Sequence, residues 1–258
     1  MVRRDSRGFT LIELLVVIAV IAVLMGIIMP ALRAAKDQAR LAICSSNMRQ
    51  LAIAVNTYTA DNDNKTPPPV ASRPASTLKF SWPNFLNQSG KAMYPYLGQY
   101  IADVGTYMCP LAPANPVDYQ EAYVNYQDNP NVMVSYNMYW GGYEMADIEF
   151  VGPRSGSSRM KLLASDTLNY GPTNDGKSRW YSSHRSEESY KTDINDGWGN
   201  LVSTLWFIDG KVDSCPQGIK LNMVFMDGHA ERYTSDETVT HNHGSARCFQ
   251  VPPKNKWK

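Results

Sequence analysis

Little in this chain points to chemistry. Lys and Arg number 25 and Asp and Glu 24, for a formal net charge of +1. No global field therefore draws it to nucleic acid. Gly-x-Ser-x-Gly, His-Glu-x-x-His and a phosphate-binding glycine loop are all missing, and with them the familiar signatures of hydrolases, metalloproteases and nucleotide enzymes. The carboxylates are scattered and no nucleophile–base pair is implied, so no catalytic residue is assigned and the chain is expected not to be an enzyme. Four cysteines in 258 residues are too few for a disulfide scaffold. Their number is even, so pairing is permitted outside the cytoplasm. No internal repeat is apparent from residue 65 onward. Disorder is excluded over most of the length by 43% hydrophobic, 11% aromatic and 19% charged residues.

Charge is most conspicuously lacking between Leu14 and Leu32, 19 residues without a single ionisable group. A helix of about 20 apolar residues spans a bilayer. Arg3, Arg4 and Arg7 precede it against one Asp5, which sets the N-terminus on the cytoplasmic side. A cleaved secretory signal would end in small residues of Ala-x-Ala type. Here that region reads Pro30-Ala-Leu-Arg-Ala-Ala-Lys36, a poor fit, and a signal anchor is the plainer reading. Glu13 stands at the start of the apolar run. Charge inside a membrane helix costs roughly 2.5–3.5 kcal/mol, less near the interface, so a partner is expected. A cut after Gly8 would supply one, the new α-amine of Phe9, in the same subunit or a neighbour.

The run Arg7-Gly8-Phe9-Thr-Leu-Ile-Glu13-Leu-Leu-Val-Val17 resembles the processed leader of type IV pilins and type II secretion pseudopilins. Gly8, Phe9, Glu13 and Pro30 all match that pattern. The resemblance implies cleavage between Gly8 and Phe9 by a prepilin peptidase, N-methylation of Phe9, and a role for Glu13 in assembly with like or related subunits. It implies a structural subunit of a pilus or pseudopilus, held as a single-pass protein of the inner membrane with its head outside the cytoplasm. The domains expected are a leader over 1–8, a transmembrane helix over 9–32, its amphipathic continuation over 33–61 and a head over 62–258. A membrane-anchored binding module that uses the segment only for export is the alternative. Nucleic acid is not indicated as a partner.

Past the membrane, Leu41, Cys44, Met48, Leu51, Val55 and Tyr58 recur at spacings of 3, 4, 3, 4 and 3, one stripe of a helix. The stripe can face the head or a partner helix. Asp61-Asn-Asp-Asn64 and Pro67–Pro69 then end the helix. The acidic cluster resembles part of a calcium loop but lacks its Gly and distal Glu. Strand-like runs at Val132–Tyr139, Met160–Ala164, Leu201–Ile208 and Leu221–Met226 alternate with breakers. Tyr94–Ile101 suits a short helix. The fold expected is α+β: a long N-terminal helix packed on an antiparallel sheet, pilin-like.

The head also resembles prepilin-type proteins marked by a C-terminal motif of His, nine residues and Asp-Gly. Cys44-Ser-Ser-Asn47-Met-Arg-Gln50, Tyr107-Met-Cys109-Pro, Ser135-Tyr-Asn-Met138, Leu163-Ala-Ser-Asp166 and Asn222-Met-Val-Phe-Met-Asp227-Gly228-His229 carry the likeness. The upstream His does not: ten residues before Asp227 stands Gln217, and His184 precedes a different pair, Asp196-Gly197, by twelve. Asp227-Gly228 is a favoured tight-turn pair, so a hairpin accounts for the motif, with a site at Asp227 and His229 as the other reading.

Two disulfides are expected, Cys44–Cys109 and Cys215–Cys248. The first would staple head to helix and is worth on the order of 4 kcal/mol in the chain-entropy model. Zinc is the alternative, without the Cys-x-x-Cys spacing that usually announces it. Metal-ligand candidates are Asp166, Asp227 and His229, with Asn174 and Asp175 as further oxygen donors. His241 and His243 alternate as on one face of a strand, near Asp236 and Glu237, in a segment that suits an exposed loop. No cofactor is required, calcium being the one considered. Aromatic residues across Tyr123–Tyr143 fit either a binding surface or ordinary core.

Overall fold

The structure is a computed structural model and describes residues 9–68, 85–88, 91–113, 119–125, 132–140, 143–145, 148–151, 161–173, 177–190, 205–242 and 248–253. It is α+β, a long N-terminal helix followed by antiparallel sheets. Helix α1 runs Leu11–Asp61. Strands β1 (Phe85–Gln88) and β2 (Lys91–Ala92), helix α2 (Tyr94–Leu97), a 3-10 turn (Val104–Tyr107) and helix α3 (Tyr119–Val124) follow. Then come β3 (Val132–Met133), β4 (Tyr136–Met138), β5 (Tyr143–Met145), β6 (Ile148–Val151), β7 (Leu162–Asp166), β8 (Leu168–Pro172), β9 (Ser178–Ser182), β10 (Trp206–Ile208), β11 (Lys220–Phe225), β12 (Ala230–Thr234), β13 (Val239–Asn242) and β14 (Cys248–Val251).

Among the described residues, four strands form one sheet in the order β12-β11-β7-β4, and five form another in the order β10-β9-β8-β14-β13. Every pairing in both is antiparallel. Strands β7 and β8 are separated by one residue, Thr167, yet enter different sheets. The chain therefore changes sheet directly after Asp166.

The chain divides into two compact units, Met1–Arg40 and Leu41–Lys258. In the first, the helix exposes its apolar residues all round, from Leu11 to Leu32. Among the described residues it is the one helix long and apolar enough to cross a membrane. In the second, Leu41, Cys44, Met48, Leu51 and Val55 are buried, as the 3-4 spacing requires, and Tyr58 is half-buried. Four of them pack in one core with Tyr136 and Met138 of β4, Leu163 and Ala164 of β7 and Val224 of β11. The stripe thus faces the head. Residues 41–61 belong to the head's unit. A second core gathers Trp180, Leu221, Met223, Phe225 and Val251.

Breakers act where expected. Asp63 (φ 52°) and Asn64 (φ 59°) take left-handed backbone, and the Asn64 amide donates to Thr59 at 3.0 Å. The Asp61–Asn64 cluster is a helix terminus. Of the segment 201–208, β10 covers Trp206–Ile208 and 201–204 lie outside the described residues. Asp227-Gly228 forms the turn between β11 and β12, paired from Lys220↔Thr234 to Val224↔Ala230. Gly228 has φ +83°, which an L side chain rarely adopts.

Candidate functional site

Two places carry the residues singled out by sequence. The first is the start of α1. Thr10 is the residue before the helix, and Glu13 is in its first turn. The Thr10 N–H and hydroxyl both donate to Glu13 Oε2 at 2.8 Å, and the Glu13 amide donates back to Thr10 Oγ1 at 3.3 Å. This reciprocal arrangement is a capping box. It also places a carboxylate at the positive end of the helix dipole. Phe9 is exposed, and Gly8 lies outside the described residues.

The second place is buried in the head. Cys44 comes from the α1 stripe, Cys109 from the segment after the 3-10 turn, Asp166 from the last position of β7 and His184 from just beyond β9. Their ligand-type atoms all lie within 4.8 Å of one another. Exposures are 0%, 4%, 1% and 3%. Asn47, one turn from Cys44, donates to the carbonyls of Gly105 at 3.2 Å and Met108 at 3.1 Å, which pins the Cys109 segment to the helix. Asp103 caps the 3-10 turn by accepting from the Gly105 amide at 2.9 Å.

Each polar atom of the cluster is aimed. Asp166 Oδ2 accepts the Asn222 amide at 2.6 Å, while Oδ1 accepts from Cys44 Sγ at 3.0 Å and from the Ser183 hydroxyl at 3.4 Å. His184 Nε2 lies 3.2 Å from Asp166 Oδ2 and 3.7 Å from Cys44 Sγ. Its Nδ1 faces the Lys220 carbonyl, so Nδ1 carries the proton as donor. Cys109 Sγ accepts the Leu111 amide at 3.4 Å. Burial alone would depress the His184 pKa, but Asp166 beside it outweighs this and holds the imidazole well above its ordinary value. Burial, helped by Cys109 and Asp166, pushes the Cys44 thiol well up.

Several expectations are corrected. Cys44 and Cys109 are brought together, but as free thiols and not a disulfide, and Cys44 Sγ contacts Asp166 and His184. Cys215 is a half-buried free thiol beside the second core, and the side chain of Cys248 lies outside the described residues. Asp166, Asp227 and His229 do not converge. Asp166 is buried, whereas Asp227 and His229 sit exposed in the β11–β12 turn. There Asp227 Oδ1 accepts from the His229 amide at 3.1 Å and His229 stacks on Phe225 at 4.3 Å, contacts that hold a turn. Asn174, Asp175 and His243 lie outside the described residues, as does the side chain of His241. The oxygen set considered for calcium is therefore not assembled among the described residues.

His184 escaped the sequence reading as a site residue. It stands 43 residues before Asp227 (227 − 184), far from the spacing sought. In space it reaches Lys220, the first residue of the strand that leads into Asp227-Gly228. No local sequence signal marks it; its link to the cluster is spatial, through the Ser183 hydroxyl on Asp166 and its own contact with Asp166.

Comparison with known proteins bears on the first place. A prokaryotic N-terminal methylation motif matches residues 3–29. The N-terminal segment is of the prepilin type. It is 34% identical over 62 residues to the type II secretion system core protein G of Pseudomonas aeruginosa, covering 24% of this chain and 44% of that protein. Identity to the type IV wide pilus major component PilA4 of Thermus thermophilus is 38% over 63 residues, 24% of this chain and 48% of that protein. The chain thus spans about half the length of the curated relatives it matches. No solved structure matches it. The prepilin-type segment and its capping box occupy the same few residues, while the buried cluster has no counterpart in these similarities beyond α1.

Proposed function

We infer that the chain is a structural subunit of a type II secretion pseudopilus or a type IV pilus-like filament. The observation that carries this is the match of the methylation motif to residues 3–29 on a helix whose apolar residues are exposed on every side up to Leu32. Exposed apolar surface of that extent requires lipid or other helices. A prepilin peptidase cuts the 1–8 leader between Gly8 and Phe9, and Phe9 is N-methylated. Residues 9–32 hold the subunit in the inner membrane, N-terminus inside, with the continuation and head outside. In the filament, neighbouring helices replace lipid, and Glu13 meets the α-amine of an adjacent Phe9. Ala19, Ala22 and Gly26 allow close approach; at Gly26 an added Cβ would meet nothing within 4 Å in the subunit itself. The role is structural, with no catalytic residue assigned.

Intact-mass analysis of the protein from peptidase-positive and peptidase-negative cells tests this. The expected change is loss of residues 1–8 plus one methyl group. An unchanged mass in both strains would remove the proposal. A second reading, a head that is merely exported and anchored by the segment, is favoured by the restriction of the similarity to 24% of the chain. In that case, processing occurs but subunit–subunit cross-links do not form.

A further inference from the structure

The buried cluster asks for an explanation that filament assembly does not supply. With Nδ1–H donated to the Lys220 carbonyl, His184 Nε2 is the ring atom turned to Asp166 Oδ2, at 3.2 Å. A proton between those two atoms satisfies the His–Asp pair alone. It leaves unexplained why two cysteine sulfurs from distant segments close on the same point.

A divalent ion explains all four groups at once. Tetrahedral zinc, with bonds of about 2.0–2.3 Å to nitrogen, oxygen and sulfur, places its ligand atoms roughly 3.3–3.8 Å apart. The separations here are 3.7 Å for Cys44 Sγ–His184 Nε2 and 3.2 Å for His184 Nε2–Asp166 Oδ2, with one ligand atom from each of the four residues, Cys109 included, within 4.8 Å of the others; the second Asp166 oxygen, Oδ1, lies 3.0 Å from Cys44 Sγ. Outer contacts follow the pattern of metal sites, in which each ligand is oriented by a second partner. Lys220 O holds His184, the Asn222 amide holds Asp166 and the Leu111 amide points at Cys109 Sγ. Two soft sulfurs, one imidazole and one carboxylate favour zinc over calcium or magnesium. Four protein ligands and near-complete burial leave no open coordination position for substrate, so the site is structural.

We propose that Cys44, Cys109, Asp166 and His184 form a tetrahedral zinc site that ties helix α1 to three separate segments of the head. On binding, the two thiols lose their protons to solvent, and His184 coordinates through neutral Nε2. The site takes the place of the Cys44–Cys109 disulfide as the staple between helix and head.

The test uses the full chain, extracted in mild detergent with free thiols trapped at lysis. Elemental analysis is expected to find about one zinc per chain. Cobalt exchanged into the protein is expected to show sulfur-to-metal charge transfer and the intense visible bands of tetrahedral coordination. That spectrum needs no variant, so a folding failure cannot mask the answer. Cys109→Ser and His184→Ala are expected to weaken zinc binding at least tenfold, and His184→Cys to retain the metal through a third sulfur. Recovery of a Cys44–Cys109 disulfide from the trapped wild type would overturn the proposal. So would octahedral cobalt, or zinc content unchanged in both Cys109→Ser and His184→Ala.

Discussion

Thr10 and Glu13 close on each other at the head of α1, the Thr10 amide donating to Glu13 Oε2 at 2.8 Å and the Glu13 amide to Thr10 Oγ1 at 3.3 Å. The carboxylate therefore has a partner inside its own subunit. This lowers the cost of placing it beside the apolar run. In the proposed filament, release to a neighbour's α-amine would exchange neutral donors for a cationic one, which strengthens the hydrogen bond.

Thr10 and Glu13 are thus separable by mutation. Glu13→Ala is expected to leave cleavage after Gly8 intact and to abolish intersubunit cross-linking. Thr10→Ala removes only the local cap, a loss of about 1 kcal/mol of helix stability, and is expected to be processed and to assemble. Loss of assembly in Thr10→Ala to the same degree would show that Glu13 acts only by capping its own helix.

Met48 is fully buried in the first core, one turn beyond Cys44. Met48→Ala is expected to destabilise the head by roughly 2–5 kcal/mol. Ile53, on the same helix but exposed, is the control, and Ile53→Ala should change stability by no more than about 0.5 kcal/mol. Denaturant unfolding followed by tryptophan fluorescence distinguishes them. Equal effects would contradict the packing of the stripe on the head.

Gly228, at φ +83°, turns the β11–β12 hairpin. Gly228→Ala is expected to cost roughly 1–2 kcal/mol, the strain of an L residue in left-handed backbone. Its added Cβ meets nothing within 4 Å, so the loss comes from backbone strain and not from a clash. Gly228→Asn should recover part of it, since Asn tolerates that conformation.

The buried Arg179 donates to the exposed Asp209 at 2.9 Å. Hydrogen bonds from Tyr190 and then from Arg179 hold the Asp209 carboxyl below its ordinary value. A carboxylate depressed on folding stabilises the protein above its unfolded pKa, and that contribution disappears as pH falls through the depressed folded value. Exposure limits it to less than about 1 kcal/mol. Asp209→Asn should accordingly shift the thermal midpoint slightly at neutral pH and not at all below the carboxylate range. A shift that persisted in acid would show that packing, not charge, was lost.

How far the head could be foreseen differs from element to element. The stripe from Leu41 to Tyr58 was legible because a helix repeats every 3.6 residues, so burial on one face prints its period along the chain. The β11–β12 hairpin was legible because Asp-Gly has a local backbone preference. Asp166 and Cys44 belong to separate motifs that nothing in the chain order joins. The motif spacing before Asp227 falls on Gln217, and His184 stands far outside it.

The amino-acid order by itself determined the membrane-length helix with its methylation motif, its helical continuation and its end. These features arise from residues within a few turns of each other. Tertiary structure alone decided that the stripe faces the head, that Asp227 and His229 hold a turn, and that Cys44, Cys109, Asp166 and His184 meet. Those four come from four separate segments, brought together by the change of sheet after Asp166 and by Asn47 pinning the Cys109 segment to α1. Sequence spacing carries no trace of contacts made by packing across 122 or 140 residues.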